Sequence, residues 1–547
     1  MLAATALAAD PPNVVLIFAD DLGYSDLGCY GSEIETPNLD RLAVEGTMLT
    51  HFRVSATCSP SRAMLMTGVD NHLNGFGNMY PFIEPAQEDK PGYENVLNPN
   101  AITIATYMKD AGYHTYMAGK WNIGDTETSL PSKRGFERTF ALMETGGSNW
   151  EKRSYLALYD DAHFFKNGEP FNDFPADYFS TDYFTDTIIG DIERDRADGK
   201  PFFAYLPYQA VHIPLQAPPE YIEKYSDTYK PGWEKIQTAR HKRMEEMGIV
   251  PKGLILPKAP GVRAWDNLTS EEQKIEAKQM AVYAAMIDNM DANIGKLIDY
   301  LERIGEYENT VIIFLSDNGP ANGDPYGSNL DFYNDFDRSY ENMGLSNNLM
   351  AYGTEWASVS ATPLSSFKRT SGEGGIRVPF IVRYPKEVRA GMKSNAFTSV
   401  YDLVPTLLTL AGIPIPDGEY KGRKILPLRG QNLTPLLKGD RDEVFSPDET
   451  FCYELCGDIA VYRGDYKLVR HLTQEGRIWG LYNIAEDLTE QNDLIEAEPE
   501  IHQELLAAYE AYADDVGLVE VSEGYNPRRA VGTRIRAKVM ERSRKAQ

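Results

Sequence analysis

The sequence NVVLIFADD, residues 13–21, sets an unbroken apolar run directly before two aspartates. The sequence TVIIFLSDNG, residues 310–319, repeats that arrangement in a distant part of the chain. Short apolar runs rich in β-branched and aromatic residues are typical of strands that are buried on both faces. The two stretches therefore predict two buried strands, each ending at a pair of polar side chains.

Helix-like and strand-like patterns alternate between these two runs. Residues 103–110 have helical periodicity, HTYMA at 114–118 and FFAYLPY at 202–208 are strand-like, and residues 270–304 form a long amphipathic pattern. The apolar positions of that long pattern are Met280, Tyr283, Ile287, Ile294, Leu297 and Leu301. Alternation of helices with buried strands predicts an α/β fold, in which helices cover both faces of a sheet.

The pattern changes after Pro416. The segment IPIPDGEYKGRKILPLRG, residues 413–430, is dense in proline and glycine, which mark loops. Short strand-like segments follow at 450–483, and a helix-like segment follows at 499–515. We therefore predict a domain boundary near residues 425–430. The predicted division is a signal-peptide remnant at 1–10, a large domain at 11–427, a smaller α+β domain at 428–527 and a basic tail at 528–547.

The composition excludes several classes of protein. Of the 547 residues, 42% are hydrophobic and 25% are charged, as in globular proteins and unlike disordered or fibrous chains. The 54 basic and 81 acidic side chains give a net charge of −27, which disfavours nucleic acid and anionic membranes as partners. The longest apolar run is too short to predict a membrane-spanning helix. An anionic substrate would need a local attraction, from a metal ion or from a few cationic side chains.

The N-terminus and the cysteines bear on the cellular compartment. The first residues, MLAATALAAD, resemble the end of an export signal without its basic region. We therefore expect a periplasmic or secreted protein. A ragged translation start, and with it a cytoplasmic location, is the alternative. Four cysteines are too few for a disulfide scaffold, although Cys452 and Cys456 are close enough in sequence to pair across a turn.

Polar side chains follow both predicted strands. Asp20 and Asp21 end the first strand, and Asp317 and Asn318 end the second. In an open α/β sheet, ligands bind outside the carboxyl ends of the strands. Four short oxygen-bearing side chains that converge there would suit a hard cation, Ca²⁺ or Mg²⁺. The alternative is that the aspartates cap helices that follow the strands.

The segment CSPSRAMLMTG, residues 58–68, contains a specific motif. It matches C-x-P-S-R-x-x-x-x-T-G, the signature that directs oxidation of cysteine to Cα-formylglycine. Pro60 and Arg62 occupy the discriminating positions. A plain buried cysteine is the alternative for Cys58 when it is considered without its neighbours.

With this motif, the chain resembles the formylglycine-dependent sulfatases, and among them the bacterial arylsulfatases. The similar segments are NVVLIFADDLG (13–23), ETPNLDRLA (35–43), AGYHTYMAGKW (111–121), FFAYLPYQAVHIPLQAP (202–218), VIIFLSDNG (311–319), GGIRVPFIVRYP (374–385) and DLVPTLLTLAGI (402–413). The resemblance implies a sulfatase/alkaline-phosphatase fold. In that fold a large mixed-sheet α/β domain carries catalysis, and a smaller C-terminal domain contains an antiparallel sheet.

The resemblance also implies a set of metal ligands. These side chains would bind Ca²⁺, with Mg²⁺ the less favoured ion, and the modified cysteine would also reach the metal. The matching residues are Asp20, Asp21, Cys58, Asp317 and Asn318.

Four further residues match catalytic positions of the family. Arg62 matches the arginine that holds the formylglycine hydrate. Lys120 and Lys368 match the two lysines that bind the sulfate, and His212 matches the histidine on the ester oxygen. Without the motif, each has an ordinary explanation: a surface ion pair for the arginine, solvated lysines, and a core histidine.

The chemistry that the resemblance implies explains these residue types. One hydroxyl of the hydrated aldehyde attacks sulfur. The two lysines and the metal neutralise the sulfate oxygens, and His212 protonates the leaving oxygen as general acid. Loss of the proton from the second hydroxyl then expels sulfate and restores the aldehyde.

One position departs from the family pattern. The family reads G-K-W-H-x-G where this chain reads GKWNIG at 119–124. The usual histidine is the expected base for the step that expels sulfate, and Asn122 cannot accept a proton near neutral pH. Efficient turnover therefore requires another group or a water molecule. His114, eight residues upstream, is a poor substitute because it lies near the start of a strand.

The predicted function is hydrolysis of small aryl sulfates by a Ca²⁺- and formylglycine-dependent enzyme. A formylglycine-generating maturase is the implied partner. The aryl preference follows from the resemblance and from aromatic residues in the long segment 320–366, whose alternative role is loop packing. These aromatic residues are Tyr326, Phe332, Tyr333, Tyr340, Tyr352 and Trp356. The rival functions are a phosphonate or phosphodiester hydrolase, a carbohydrate sulfatase and a sulfate-ester binding protein that does not turn over.

The C-terminal tail is strongly basic. Residues 528–547 contain eight basic side chains and one acidic one, on a chain of net charge −27. Val531, Ile535 and Val539 recur at four-residue spacing, which predicts a helix with one apolar stripe. A basic helix should be attracted to an acidic body, its own or a neighbour's. We expect it to dock on a second protomer and support a homo-oligomer, with a disordered tail as the alternative.

Overall fold

The computed structural model describes residues 11–257, 261–323, 331–473 and 476–545. The predicted signal-peptide remnant at 1–10 and Tyr326 lie outside these ranges.

Nineteen strands lie in the described part of the chain. They are β1 (Asn13–Ala19), β2 (Thr47–Leu49), β3 (Phe52–Arg53), β4 (His114–Lys120), β5 (Arg138–Leu142), β6 (Phe164–Lys166), β7 (Glu169–Phe171), β8 (Phe202–Pro207), β9 (Thr310–Ser316), β10 (Arg377–Val378), β11 (Phe380–Arg383), β12 (Met392–Ser394), β13 (Thr398–Ser399), β14 (Glu419–Tyr420), β15 (Arg423–Lys424), β16 (Thr450–Leu455), β17 (Asp458–Arg463), β18 (Tyr466–Leu472) and β19 (Arg477–Asn483).

Fourteen α-helices accompany them within the same described ranges. They are α1 (Pro37–Glu45), α2 (Cys58–Thr67), α3 (Asn71–Asn74), α4 (Ile104–Asp110), α5 (Ser180–Asp195), α6 (Pro219–Lys224), α7 (Trp233–Met247), α8 (Ser270–Arg303), α9 (Gly353–Ser360), α10 (Glu373–Ile376), α11 (Leu403–Leu410), α12 (Thr434–Lys438), α13 (Pro499–Val516) and α14 (Pro527–Lys545).

A ten-stranded mixed sheet forms the centre of the large domain. Its strand order is β12-β2-β11-β9-β1-β8-β4-β5-β6-β7. Strand β1 runs parallel to β8 and β9, whereas β11 runs antiparallel to β9. Val15 and Ile17 pack into the hydrophobic core on one face, and Leu16 and Phe18 pack into the core on the other. The fully apolar sequence of β1 thus reflects burial on both faces, as predicted.

The register of the central strands brings the two polar sequence pairs together. Ala19 of β1 lies opposite Ser316 of β9. Because the strands are parallel, Asp20 and Asp317 leave the sheet at the same edge. Neither caps a helix, since the next α-helices begin only at Pro37 and Gly353.

The C-terminal part contains a second, antiparallel sheet. Its four strands are paired in the order β16-β17-β18-β19, and α13 packs against one face. Cys452 lies in the cluster on that face, whereas Cys456 packs into the core shared with the large domain. Both cysteines are free, because their side chains are buried in different clusters. The fold class is therefore confirmed, and the numerical domain boundaries stay a prediction.

The basic tail forms helix α14 and packs on its own chain. Ile535 is buried against Ala157 and Leu158, with Val531 and Val539 beside it. The apolar stripe is thus covered within the protomer. Assembly through this helix stays a prediction that these contacts do not support. None of the helices in the described ranges is long and apolar enough to span a membrane.

Candidate active site

Four buried polar side chains converge at the carboxyl edge of β1 and β9. The backbone amide of Asp21 donates to Oδ1 of Asp317 at 3.1 Å, and Nδ2 of Asn318 donates to Oδ1 of Asp21 at 2.7 Å. Oδ1 of Asp20, Oδ2 of Asp21 and Oδ1 of Asn318 are buried without a hydrogen-bond partner among the described residues. Such oxygens are costly to bury unless a ligand satisfies them.

These oxygen atoms suit a metal ion. Ligand atoms of Asp20, Cys58 and Asp317 lie within 4.8 Å of one another, as do those of Asp20, Asp21 and His212. Carboxylate and amide oxygens are the ligands that hard divalent cations prefer. The five residues predicted as metal ligands are therefore brought to one place, and their chemistry fits Ca²⁺ or Mg²⁺.

Cys58 is the first residue of α2 and is fully buried. Pro60 is tolerated in the first turn because the amide there has no partner within the helix. Gly68 ends the helix with a φ of 65° and donates its amide to the carbonyl of Met64, a conformation that favours glycine. Within the motif, Pro60 and Gly68 thus bracket the helix that presents Cys58.

Two side chains lie close to the sulfur of Cys58. Lys368 Nζ is 3.8 Å from Sγ, and Thr145 Oγ1 is 4.0 Å from it. The sequence analysis did not identify Thr145, because a lone threonine after β5 carries no motif.

Arg62, fully buried on α2, contacts a metal-ligand carboxylate. Its Nε and Nη2 donate to Oδ2 of Asp317 at 3.0 and 2.8 Å, and its Nη1 donates to the carbonyl of Lys120 at 2.9 Å. Burial opposes the positive charge, but Asp317 and the other neighbouring groups outweigh it and raise the pKa of Arg62. Arg62 therefore holds α2, β9 and the end of β4 together behind Cys58.

The two predicted sulfate-binding lysines pair with the two aspartates after β1. Lys120 donates to Oδ2 of Asp20, and Lys368 donates to Oδ1 of Asp21 at 2.5 Å. Burial and the nearby Asp317 raise the pKa of Asp20 to about 7. Burial also acts to raise the pKa of Asp21, but Lys368, His212 and Lys120 outweigh it and lower that pKa.

His212 lies on the other side of Asp21. Its Nε2 is 3.7 Å from Oδ2 of Asp21, and its Nδ1 is 2.6 Å from the carbonyl oxygen of Ile213. Because a carbonyl only accepts, Nδ1 carries a proton. Burial, together with Lys120 and Lys368, lowers the pKa of His212 well below its usual value. The ring of Tyr155, which the sequence analysis did not identify, packs edge-on against His212 at 5.4 Å.

A cavity of about 710 Å³ is lined by sequence neighbours of these groups, whereas Cys58, Lys120, His212 and Lys368 are not themselves among its lining residues. Ser59, Asn122 and Glu144 line it, and each lies one or two residues from Cys58, Lys120 or Thr145 in the sequence. The aromatic lining residues are Phe76, Tyr80, Tyr93 and Tyr159, and the acidic ones are Glu88, Asp89, Glu94, Asp125 and Glu144. Asn122 has a φ of 55°, and its Nδ2 is buried without a partner in the described part of the chain.

The aromatic residues of the segment 320–366 have mostly structural contacts. Tyr352 stacks on Tyr283 with ring centroids 4.3 Å apart, and Trp356 packs against Trp233. Both tryptophans are fully buried. The expectation that this segment supplies aromatic contacts to the substrate is therefore wrong for Tyr352 and Trp356. Tyr333 lies in one cluster with Tyr155, and Phe332 packs against the same cluster.

Comparison with known proteins identifies similar chains. A model of the family Sulfatase matches residues 12–413, and a model described as N-sulphoglucosamine sulphohydrolase, C-terminal, matches residues 366–511. An arylsulfatase of Klebsiella aerogenes is 38% identical over 438 residues, which cover 79% of this chain and 93% of that protein. An uncharacterized sulfatase of Schizosaccharomyces pombe is 37% identical over 536 residues, covering 94% and 95%. The solved structure of Ps i-CgsB in complex with k-i-k-neocarrahexaose has a TM-score of 0.68 at 26% identity, and the match covers 98% of this chain and 99% of that one.

Proposed function

Because this chain belongs to the sulfatase family, a family of sulfuric ester hydrolases, we propose that it hydrolyses small aryl sulfates with a formylglycine made from Cys58 and a bound Ca²⁺. The observation that carries the proposal is the convergence of Cys58, two lysines, one histidine and three buried ligand oxygens at one edge of the sheet. Those oxygens have no hydrogen-bond partner in the part of the chain that the structure describes. A structural role explains neither the unsatisfied oxygens nor the density of buried charge.

The metal would be held by Asp20, Asp21, Asp317 and Asn318, with the residue at 58 beside them. When bound, a divalent cation supplies Lewis acidity and positive charge. The buried charges nearby are three carboxylates, Asp20, Asp21 and Asp317, and three cations, Arg62, Lys120 and Lys368. Since these charges balance, the metal would leave the centre positive. Because the whole chain has a net charge of −27, an anionic ester needs a local positive charge to attract it. The excess positive charge at the metal centre would provide this attraction.

A formylglycine hydrate supplies two hydroxyls on one carbon, one for attack on sulfur and one whose deprotonation releases sulfate. The motif around Cys58 supports this modification, which requires a maturase in the host. Lys120 and Lys368 are positioned to bind sulfate oxygens with fixed, desolvated ammonium groups. Arg62 orients the site by holding Asp317 and the end of β4.

His212 is the candidate general acid. In the absence of substrate, burial and the two lysines lower the pKa of His212 and keep its ring neutral. An unprotonated Nε2 therefore faces Asp21. The negative charge of a bound sulfate ester would raise the pKa of the ring and favour protonation at Nε2. That proton could then pass to the leaving aryl oxygen.

The aryl preference has support from the comparisons and from the cavity. The Klebsiella relative is named an arylsulfatase, and four aromatic side chains line the cavity next to Cys58. Its lining includes five carboxylates and a single basic residue, Arg534. A cavity with this charge disfavours a polysulfated polymer. A carbohydrate sulfatase is the second candidate, because the similar structure Ps i-CgsB was solved with a neocarrahexaose.

Two measurements test the proposal. The intact mass of the tryptic peptide 54–62 shows whether Cys58 is converted. Initial rates at equal concentrations of an aryl sulfate, an aryl phosphodiester and a sulfated monosaccharide then rank the candidate functions. The proposal predicts conversion and the highest rate on the aryl sulfate. A higher rate on the diester or on the sugar would favour a rival enzyme, and binding of aryl sulfate with no more than one equivalent of product would favour a binding protein.

A further inference from the structure

Helix α14 lies outside the segments that the two family models match, which end at residues 413 and 511. It is nonetheless in contact with the cavity beside Cys58, because Arg534 is one of the lining residues. The contacts of this helix fall into two groups, one with the segment 80–88 and one with the segment 157–160.

The first group of contacts is made by Arg534. Its Nη2 donates to the carbonyl of Ile83 and to Oε1 of Glu88, both at 2.8 Å. Its guanidinium also lies over the ring of Tyr80, 5.4 Å from the centroid. Tyr80, Ile83 and Glu88 all line the cavity, so this arginine anchors α14 to one wall.

The second group of contacts is made further along the helix. Ile535 is buried against Ala157 and Leu158. Arg542 donates to the carbonyl of Ala157 at 2.8 Å and forms an ion pair with Asp160 at 2.5 Å. Tyr159, in the same segment, also lines the cavity.

We propose that α14 is a substrate-specificity element that bridges the segments 80–88 and 157–160 and closes one side of the substrate cavity. The helix restricts the enzyme to sulfate esters with a small leaving group and excludes sulfated oligosaccharides. The inference rests on the proposed sulfatase function, but it concerns which esters are accepted and leaves the reaction itself unchanged. Arg534 is the residue that determines this specificity, since it contacts one wall and lines the cavity itself.

The contacts that keep α14 beside the cavity are weak enough for a point substitution to disrupt them. The pairs Arg534–Glu88 and Arg542–Asp160 are both partly exposed, and exposed ion pairs contribute little to stability. One buried isoleucine provides the main apolar anchor. Reversal of the charge at position 534 should therefore loosen the helix without unfolding the body of the chain.

The experiment compares substrate-size selectivity between variants. The substrates are 4-nitrophenyl sulfate and oligosaccharides of one, two and four rings that each carry one sulfate, so that the charge stays constant. The variants are R534E, the charge swap E88R/R534E, R536E and a chain that ends at Asn526. Arg536 is an exposed arginine of the same helix, and R536E makes the same change in charge.

We expect R534E and the shortened chain to raise the ratio of kcat/KM for the four-ring ester to that for 4-nitrophenyl sulfate by about tenfold or more. The charge swap should restore the parental ratio, and R536E should leave it unchanged. The kcat for 4-nitrophenyl sulfate should stay within about threefold of the parental value in R536E, because Arg536 is exposed and is not among the lining residues of the cavity.

An unchanged ratio in both R534E and the shortened chain would overturn the proposal. A loss of activity on 4-nitrophenyl sulfate in both would also overturn it, since α14 would then support the reaction itself. Thermal unfolding of each variant shows whether the body of the chain is folded. Failure of the proposed function is recognised separately, because the parent chain would then release sulfate from none of the esters.

Discussion

The ammonium nitrogen of Lys368 lies 3.8 Å from the sulfur of Cys58, although 310 positions separate the two residues. The same nitrogen donates to Oδ1 of Asp21. Lys368 thus connects the side chain that carries the modification motif with a candidate metal ligand. A nucleophile at position 58 and a sulfate bound by Lys368 would therefore meet in one small, buried space.

Cys58→Ala should abolish hydrolysis, because the alanine variant has no nucleophile. Cys58→Ser, left unmodified, should at most form one equivalent of sulfated serine, since it has no second hydroxyl to release sulfate. We expect losses of at least about a thousandfold in steady-state rate. Cys452→Ala, at a buried thiol in the C-terminal sheet, is the control and should retain activity. Repeated turnover by Cys58→Ala at more than about a thousandth of the parental rate would refute a covalent role for the residue at position 58.

Asn122→His should raise the steady-state rate if release of sulfate is slow in the parent. Rapid mixing of the parent should then show a burst of phenol, followed by a slower phase. The gain should approach the roughly 10²–10⁴-fold that is typical of a general base. Histidine tolerates the positive φ at this position. Asn122→Gln, which cannot accept a proton, is the control. A linear parental trace with no gain in the histidine variant would show that another group already serves as base.

Added Ca²⁺ should stabilise the folded chain, because it would satisfy the orphaned oxygens of Asp20, Asp21 and Asn318. At one hundred times the dissociation constant, the expected gain is about 2.7 kcal/mol. Thermal unfolding in Ca²⁺ and in a chelator measures it without reference to activity. Asp20→Asn should reduce the difference, whereas Asp402→Asn, at a buried aspartate elsewhere that accepts from the amides of Ser399 and Gln431, should keep it. Equal unfolding temperatures in both buffers would contradict a metal site.

The sequence was sufficient for the parts of the site that local patterns encode. The apolar run of β1 predicted its burial on both faces, and the parallel pairing of β1 with β9 explains why Asp20 and Asp317 meet. The resemblance at the Cys58 motif implied that Arg62 belongs to the site, and the structure puts both residues on helix α2, about one turn apart.

The cavity could not be predicted in the same way. Its lining comes from distant segments of the chain, among them Tyr80, Tyr159 and Arg534, and none of these residues belongs to a periodic pattern or a motif. Tyr352 and Trp356 were expected near the substrate, but the apolar residues around them bury both in the core. Aromatic composition alone does not distinguish the two outcomes. Docking of α14 on its own chain depends equally on tertiary contacts that only the folded structure reveals.

Lys467→Met should destabilise the chain, because Lys467 joins two buried carboxylates. Its Nζ donates to Glu490 at 2.6 Å and to Glu373 at 3.0 Å. Glu490 also accepts from the hydroxyl of Ser365 and from the amide of Glu373, at the two ends of the loop that carries Lys368. Removal of one partner of a buried ion pair costs roughly 3–5 kcal/mol.

Chemical denaturation measures the loss in the Lys467→Met variant, and its kcat should fall as well, because the loop of Lys368 loses an anchor. Lys438→Met, which removes a partly exposed ion pair with Glu387, is the matched control and should cost less than about 1 kcal/mol. Equal losses in the free energy of unfolding of the two variants would show that the buried ion pairs of Lys467 stabilise the chain no more than the pair of Lys438 with Glu387.

The stability of the chain should fall as the pH rises from about 6.5 to 9, because of His72. Its Nε2 is 2.8 Å from Glu454 of the C-terminal sheet, and its Nδ1 is 3.2 Å from Asp70. Burial disfavours the charged ring, but these two carboxylates outweigh it and raise the pKa of His72 to about 9. The folded pKa lies above the unfolded value of about 6.5, so the folded chain binds the proton more tightly. The stabilisation is therefore complete below pH 6.5 and is lost as the pH passes through 9. A shift of this size corresponds to roughly 3 kcal/mol in the free energy of unfolding.

Measurement of denaturation midpoints between pH 6.5 and 9 tests the role of His72. The midpoints should fall in the parent and change less in His72→Gln, whereas His471→Gln, at a partly exposed histidine of the C-terminal sheet, should follow the parent. Parallel curves for all three chains would mean that His72 does not hold the two domains together through its charge.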